Sequence, residues 1–552
     1  MSLQASPIPD VPAETARVAR AAFAKGNRYL TWRDELGPLY ADEQFAELFA
    51  RRGQPAESPA SLALVTILQF MENLSDRQAA DAVRSRMDWK YLLGLELTDT
   101  GFNYSVLTDF RQRLRQGQAE VLLLDRLLDL ARARGLLKAR GQQRTDSTHV
   151  LAAIRHLNRL ELVGEAMRQA LNRLADVAPE WLQGWVPAEW YSRYGRRIEQ
   201  FRLPKEVPAQ QAWAHQVGAD GQQLLEACWA PQAPATVRRL PTVECLRRIW
   251  VQQYGWRDGQ RYWRPDDEHP PAALLITSPY DCEARFGTKR TTEWVGYKAQ
   301  VTESCDPDQP ALITQVTTTV ASTPDQQMLP VIQAALAAKD LLPAEHLVDA
   351  GYPSAEHLVT SQRQYQVAVI GPVPQDTSWQ AQAHQGFDLR HFHIDWAQQQ
   401  VTCPRGRVSR WWSPRRDAYG RPRIHVRFAA SDCQPCPLRP ACTQAKEART
   451  LRLQLQPESE ALQAARERQT TPEFKARYAG RAGIEASLSQ AVRRCDVRHC
   501  RYIGLAKTQV QHILTAVALN LLRLLDWLVE PDHRPRSSAA FAALAPAAQF
   551  AN

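Results

Sequence analysis

The chain has 552 residues, an apolar fraction of 44%, a formal net charge of +9 and a pI of about 9.1. This length allows roughly three or four domains of about 150 residues, and the apolar fraction is enough to form buried cores. The basic excess favours a polyanionic partner. Residues 1–14 lack the basic and apolar regions of a signal peptide. The sequence contains no uninterrupted run of about 18 apolar residues, the length that a membrane-spanning helix needs. We therefore expect a cytoplasmic protein.

The ten cysteines fall into two groups, and without an export signal they are not expected to form a disulfide framework. Four of them have the spacing Cys-x29-Cys-x2-Cys-x5-Cys and are predicted to bind a structural zinc ion, which prefers four thiolates: Cys403, Cys433, Cys436 and Cys442. Buried, unliganded thiols are the alternative. The other six are scattered and are predicted to be reduced and mostly buried: Cys228, Cys245, Cys282, Cys305, Cys495 and Cys500.

The N-terminal part of the chain is predicted to be helical. Residues 1–35 have a mixed composition and are expected to form a loose arm, and a helical domain is expected over residues 36–138. Ser58 marks one helix start, and Ser75 is expected to cap a second short helix that carries Arg77 and Arg84. A helix, a short turn and a second helix with outward arginines are typical of a helix-turn-helix. A plain helical bundle is the alternative.

From residue 139 to 530 the pattern predicts an α/β domain with a mixed sheet, flanking helices and two inserts. A helical insert is expected at 151–265 and a cysteine-rich, zinc-ribbon-like insert at 376–450. The Ala/Pro/Ser-rich tail, residues 531–552, is expected to be disordered. The predicted strands are 140–150, 294–302, 312–320, 345–349 and 367–371, with helices at 323–339, after Ser354 and over 472–529.

Three acids are candidates for a metal site. Asp146 and Asp349 each lie at the predicted C-terminal end of a strand, where ligands gather in open α/β sheets. Tyr478, Arg481 and Glu485 are three and four residues apart, which places them on one face of a helix. Alone, that spacing is more typical of an ordinary amphipathic surface helix with an Arg–Glu pair. Three converging carboxylates repel each other strongly, and a fold that keeps them together binds hard cations such as Mg²⁺.

Several stretches of the chain resemble bacterial insertion-sequence transposases with a DDE catalytic domain. The resemblance implies an RNase H-like fold and spans roughly residues 30–530. It is strongest to the eleven-eighty-two group, whose helical N-terminal domain is similar to residues 75–84 and 89–94. The matching stretches are Thr145-Asp-Ser-Thr-His-Val150, Trp294-Val-Gly-Tyr-Lys298, Val348-Asp-Ala-Gly-Tyr352, Tyr478 to Glu485, and Arg501-Tyr-Ile-Gly-Leu-Ala-Lys507.

The resemblance implies a site and a reaction. Asp146, Asp349 and Glu485 would hold two Mg²⁺ or Mn²⁺ ions, and the enzyme would cleave the element's ends and join the freed 3′-hydroxyl to target DNA. The helical domain would bind terminal inverted repeats, and the protein would act as a homodimer on DNA, associated with the nucleoid.

The resemblance also implies DNA contacts. Arg481 would bind a phosphate and Tyr478 the DNA end. Val492 stands where related transposases carry a lysine, so Arg493 or Arg494 is expected to replace that cation. The further DNA contacts that we predict are Arg498, Lys507, Lys298, Arg77 and Arg84.

Two other classes of function are compatible with these residues. One is an RNase H-like nuclease that cuts but does not join DNA. The other is a non-enzymatic DNA-binding protein, such as a repressor descended from a transposase. The intact trio of acids favours catalysis, because a protein that only binds DNA has no use for three carboxylates that repel each other.

Overall fold

The N-terminal part of the chain is helical and more ordered than its composition suggests. The structure is a computed structural model that describes residues 2–155, 157–289, 291–383 and 385–529, so the predicted disordered tail lies outside the described residues. Residues 13–36 form two helices that pack on a third, and Trp32 is fully buried, so the prediction of a loose arm is wrong. The helices are α1 (Ala13–Ala22), α2 (Arg28–Leu36), α3 (Pro59–Met71), α4 (Asp76–Ser85), α5 (Met87–Leu93), α6 (Ser105–Gln116) and α7 (Leu122–Ala133).

The predicted starts of α3 and α4 are confirmed by their capping contacts. The Ser58 hydroxyl accepts a hydrogen bond from the Ser61 N–H, and the Ser75 hydroxyl accepts one from the Gln78 N–H at 3.3 Å. Such caps satisfy amide groups that have no partner within the helix. Helix α3 is almost wholly buried and packs between α4, α6 and the C-terminal helix.

The main sheet contains an antiparallel half and a parallel half. Strand β1 (Arg140–Leu151) pairs antiparallel with β5 (Thr292–Ser304) and parallel with β7 (Pro343–Val348). Strand β8 (Ala368–Ile370) pairs with β7 and extends the parallel half. Strands β4 and β6 both pair with β5 on the side away from β1. The predicted strands are confirmed, but β4 was not foreseen. The remaining elements of this sheet region are β4 (Arg285–Lys289), β6 (Ile313–Val320), α13 (Met328–Ala337) and α14 (Ala355–Tyr365).

The segment between β1 and β4 is mainly helical and has a hydrophobic core of its own. It ends in a β-hairpin, so the expectation of helix throughout 151–265 is wrong for its last residues. A disulfide links Cys245 to Cys282, with Cα atoms 6.1 Å apart, so the prediction that both are reduced is also wrong. Folding brings these two cysteines together across 37 residues of sequence. The elements are α8 (Arg159–Val177), α9 (Pro179–Gln183), α10 (Ala188–Tyr194), α11 (Val207–Trp229), α12 (Pro241–Gln253), β2 (Tyr254–Arg257) and β3 (Gln260–Trp263).

The cysteine-rich region forms a small three-stranded antiparallel sheet and a two-stranded one around a third core. The three-stranded sheet has the order β11-β12-β13, and β9 pairs with β10. The elements are α15 (Trp379–Gln382), β9 (His393–Asp395), β10 (Gln400–Thr402), β11 (Trp411–Arg416), β12 (Pro422–Arg427), α16 (Ala430–Cys433), α17 (Arg439–Cys442) and β13 (Thr450–Leu453).

Four C-terminal helices complete the fold: α18 (Gln456–Arg468), α19 (Pro472–Ala479), α20 (Gly483–Cys495) and α21 (Leu505–Val529). A 3₁₀ turn, Gly480–Ala482, separates α19 from α20, so Tyr478 and Glu485 are not on one continuous α-helix as predicted. Helix α21 is largely buried against β6, α3 and α7. Within the described residues, no helix combines the length and apolar character that a membrane crossing requires.

Candidate active site

The register of the parallel strands brings the first two predicted ligands together. The pairing of β1 with β7 ends where Thr145 lies opposite Val348, so Asp146 and Asp349 follow side by side. Asp146 is therefore within β1, at the point where its parallel partner stops, and not at the strand's end. The carboxylates are oriented by the backbone, because Ser147 N–H donates to Asp146 Oδ1 and Ala350 N–H donates to Asp349 Oδ1, both at 2.7 Å.

One guanidinium contacts all three predicted ligands. Arg481 Nη2 lies 2.6 Å from Asp146 Oδ2 and 3.8 Å from Asp349 Oδ2. Its Nη1 lies 3.3 Å from Glu485 Oε1. The three acids, from β1, the end of β7 and α20, thus converge on a single cation. The sequence prediction assigned this arginine to a DNA phosphate, whereas in this structure it pairs with the carboxylates.

Asp146 is the most buried of the three acids, with 7% of the residue exposed. Burial raises the pKa of Asp146, and the nearby Asp349 charge acts in the same direction, while Lys289 and Arg481 lower it. Lys289 Nζ lies 3.8 Å from Asp146 Oδ1 and also donates to the Ser147 carbonyl oxygen. Sequence reasoning missed this lysine because it lies on β4, the strand that was not foreseen.

A buried charge network positions the helix that carries Glu485. The Glu303 carboxylate on β5 is fully buried and pairs with Arg144 on β1 at 2.6 Å and with Arg523 on α21 at 2.9 Å. It also accepts a hydrogen bond from Ser487 on α20 at 2.6 Å. Arg144 donates further to the Gly480 carbonyl oxygen at 2.6 Å. The network therefore fixes α20 and the preceding 3₁₀ turn against the sheet.

Gly483 leaves room for an arginine side chain where α20 begins. A Cβ at this position would lie 2.1 Å from Arg144 Nη1, closer than atoms can approach without a shift. Glycine therefore allows the Arg144 guanidinium to lie directly beneath the first turn of α20.

A fourth acid lies beside the site. Asp325 accepts hydrogen bonds from Ser147 Oγ at 3.1 Å and from Gln300 Nε2 at 3.0 Å. Lys298, which we predicted to contact DNA, has its side chain only 12% exposed and pairs with Asp325 at 3.3 Å. The structure thus directs Lys298 into the protein. Asp325 was read in the sequence only as part of a helix start, so its position beside β1 was not foreseen.

The remaining predicted DNA contacts lie on several separate elements. Tyr478 stacks on Phe474, with ring centroids 5.6 Å apart, and Arg498 donates to Thr148 on β1 at 3.2 Å. Val492 packs against the main core, which explains why an apolar residue occupies the position of the expected lysine. The exposed basic residues among these predictions are Arg493 and Arg494 at the end of α20, Lys507 on α21, and Arg77 and Arg84 on α4.

The four clustered cysteines line one cavity beside the third core. Gly406 N–H donates to the Cys403 carbonyl oxygen at 2.8 Å, which closes a turn that begins at Cys403. Burial raises the pKa of the Cys442 thiol, and the charges of the other three cysteines raise it further, which reflects their proximity. The donor set therefore suits zinc chemically.

Within the described residues, neither the four cysteines nor the three acids are arranged as a metal site. Among the described residues, no three His, Cys, Asp or Glu side chains are arranged closely enough to hold a metal ion. This applies to the cysteines and also to Asp146, Asp349 and Glu485, between which Arg481 is inserted.

Comparison with known families gives two matches. Residues 402–525 match a transposase DDE domain, and residues 24–113 match a transposase domain (DUF772). The first match includes Glu485 and the four clustered cysteines, and it begins after Asp146 and Asp349. A comparison with curated proteins found no match. The two domains occur in the order expected from the sequence, and together they support an insertion-sequence DDE transposase.

Proposed function

We propose that this transposase binds the terminal inverted repeats of an insertion sequence, cleaves its ends and transfers the freed 3′-hydroxyl to target DNA. The observation that carries the proposal is the convergence of Asp146, Asp349 and Glu485 on one point at the edge of the parallel strands. Three carboxylates meeting there are costly without a cation, and oxygen ligands are what Mg²⁺ and Mn²⁺ prefer.

In this proposal Asp146, Asp349 and Glu485 would hold two divalent ions. Such ions, when bound, supply charge stabilisation at the attacking and leaving oxygens of the phosphodiester. The protein's own groups supply the rest. Arg481 becomes free to bind a DNA phosphate once the carboxylates have other cations, and a guanidinium suits a phosphate well. Lys289 adds a second positive charge beside Asp146.

The strand order of the main sheet supports the RNase H-like fold that is part of the proposal. The strand order β6-β5-β1-β7-β8, antiparallel in its first half and parallel in its second, is consistent with an RNase H-like domain. On this view the segment between β1 and β4 and the cysteine-rich region are inserts, the latter with a structural zinc ion. The eleven-eighty-two group and a homodimer on DNA remain part of the proposal.

The proposal is tested with the full-length protein, Mg²⁺ and a linear duplex that carries the sequences flanking the gene on both sides. We expect Asp146→Asn, Asp349→Asn and Glu485→Gln each to lower cleavage by about a thousandfold or more, because several kcal/mol of charge stabilisation are lost. Glu473→Gln, an exposed glutamate on α19, is the matched control and should cleave normally. Cleavage by Asp146→Asn at the normal rate would overturn the metal site.

The two alternative functions give different results. A nuclease would cut the flanking sequences but would not join a pre-cut end to a target plasmid. A repressor would bind DNA equally well in EDTA and would cut nothing.

A further inference from the structure

The most basic segment of the chain lies outside the candidate active site. Residues 403–427 contain eight arginines and one acid, Asp417, whereas the net charge of the entire chain is only +9. The segment contains the hairpin of β11 and β12. A surplus of this size in one segment of 25 residues, five of its arginines in the hairpin, indicates a local anionic partner rather than an evenly charged surface.

The small sheet has one apolar face and one basic face. Its apolar face packs on the third core and is formed by Trp412, Ile424, Val426, Leu451 and Leu453. Strand residues alternate between the two faces. The opposite face therefore presents Trp411, Arg415, Arg423, Arg427 and Arg452 to solvent, with Arg423 only half-buried and the others exposed.

Like charges are held close together on this basic face. Arg415 lies directly opposite Arg423 in the antiparallel pair, where like charges repel each other, and the nearby acids Asp417 and Glu458 pair with Arg423 at 3.5 and 3.8 Å. The guanidinium carbons of Arg410 and Arg427 lie 4.8 and 5.6 Å from the Trp411 ring centroid. The sheet thus presents an ordered array of guanidinium groups.

Few acids neutralise these arginines. Within the described residues, Arg407, Arg423 and Arg427 form ion pairs. In the same part of the chain, the side chains of Arg405, Arg410, Arg415, Arg416 and Arg421 have no acidic group within 4.0 Å. Tyr419 at the hairpin tip is 86% exposed. Guanidinium groups and a tyrosine hydroxyl are suitable donors to phosphate oxygens.

We propose that the hairpin of β11 and β12, with the outward face of β13, binds the phosphate backbone of double-stranded DNA. A two-stranded β-ribbon is narrow enough to enter the major groove, which is about 12 Å wide. The inference rests on the proposed function, because it takes the transposase's DNA as the occupant.

The hairpin is also connected to the active-site region. Arg423 pairs with Glu458 on α18 at 3.8 Å, and α18 packs against α14, the helix that follows Asp349. DNA bound on the hairpin would therefore be held at a fixed position relative to Asp349.

The test compares two triple variants of the full-length protein by fluorescence anisotropy with a labelled DNA duplex over a range of salt concentrations. The patch variant is Arg410→Gln, Arg415→Gln and Arg421→Gln. We expect weaker binding and a decrease of about 2 to 3 in the slope of log K against log salt, because each lost phosphate contact removes about 0.9. The control variant removes the same charge from exposed arginines on three separate helical segments: Arg126→Gln, Arg238→Gln and Arg363→Gln.

The inference is overturned if the patch variant keeps the affinity and slope of the unmodified protein, or if the control variant loses as much. It is also overturned if the unmodified protein does not bind the duplex, or if the patch variant loses affinity only for an RNA duplex. Should the triple variant fail to fold by circular dichroism, Arg415→Gln alone is measured, with an expected decrease in slope of about 0.9.

The proposed DNA contact of the hairpin and the proposed transposase reaction can be rejected separately. Unchanged DNA binding by the patch variant would reject the proposed DNA contact of the hairpin. If Asp146→Asn loses cleavage in the same series, the proposed transposase reaction is kept. Normal cleavage by Asp146→Asn removes the proposed metal site whatever the ribbon does.

Discussion

At the scale of single residues, Arg481 determines the state of the site without metal. Its guanidinium contacts Asp146, Asp349 and Glu485, and its side chain is only 13% exposed. Burial removes water from the Asp146 carboxylate and raises its pKa. The Arg481 guanidinium stabilises the charged carboxylate in place of that water. We infer that Arg481 and divalent cations compete for the same three carboxylates.

This competition predicts the behaviour of Arg481→Ala. In EDTA the variant should be less stable by about 3 kcal/mol, because the buried Asp146 carboxylate loses its closer cation and keeps only Lys289, at 3.8 Å. Mg²⁺ should restore more stability to the variant than it adds to the unmodified protein. Thermal melting with and without Mg²⁺ measures both effects. Arg477→Ala, which breaks the surface pair with Glu345, serves as the control. Equal Mg²⁺ effects in all three proteins would contradict the idea.

At the scale of elements, the site depends on how α20 is attached to the sheet. The helix contributes Glu485 from an exposed surface position, while its buried face carries Ile484 and Ser487. Glu303 connects that face to β1 and α21 through Ser487, Arg144 and Arg523. The charge network therefore positions α20, the helix that carries the predicted third ligand Glu485.

Replacement of Glu303 tests this role. Glu303→Gln leaves Arg144 and Arg523 without their counter-charge, which should destabilise the packing of α20 by about 3 to 5 kcal/mol. Backbone amides of α20 should then exchange hydrogen faster, as followed by mass spectrometry. Glu293→Gln, at an exposed position on the same strand, is the matched control. Identical exchange in α20 for both variants would show that the network does not hold the helix.

At the scale of the whole molecule, two buried histidines predict that the fold loses stability in acid. His346 on β7 and His512 on α21 are fully buried, and burial lowers the pKa of each to about 4 from the ordinary 6.5. Among the residues that the structure describes, none is a hydrogen-bond partner of His346 Nδ1 or His512 Nε2, so a proton added there would be a buried, unpaired charge. The unfolded chain binds these protons near pH 6.5 and the folded chain only near pH 4.

The unfolded state therefore takes up more protons between those values, and the free energy of unfolding falls as the pH falls through this window. Each histidine should cost about 3 kcal/mol over the full range. Thermal melting at a series of pH values measures the loss. The double variant His346→Gln, His512→Gln should have a lower melting temperature near neutral pH but a flatter dependence on pH. An unchanged pH dependence would show that other groups cause the acid sensitivity.

Local patterns determined much of the fold. Alternation of β-branched residues identified β5 and β6, and short strand-like stretches identified β1, β7 and β8. Ser58, Ser75 and Ser354 marked helix starts that the structure confirms. These signals are readable because a strand's period and a helix cap involve residues only a few positions apart. The resemblance to DDE transposases, based on short motifs in a fixed order, is confirmed by the family matches.

The structure decided what depends on contacts between distant segments. The register of Thr145 against Val348 sets Asp146 beside Asp349, although 203 residues separate the two acids. Lys289 reaches Asp146 from an unforeseen strand, and Cys245 meets Cys282. Sequence alone named the three acids, because each lies in a recognisable local pattern. Only the tertiary structure placed Arg481 between them, because folding determines which charges lie within reach of a long side chain.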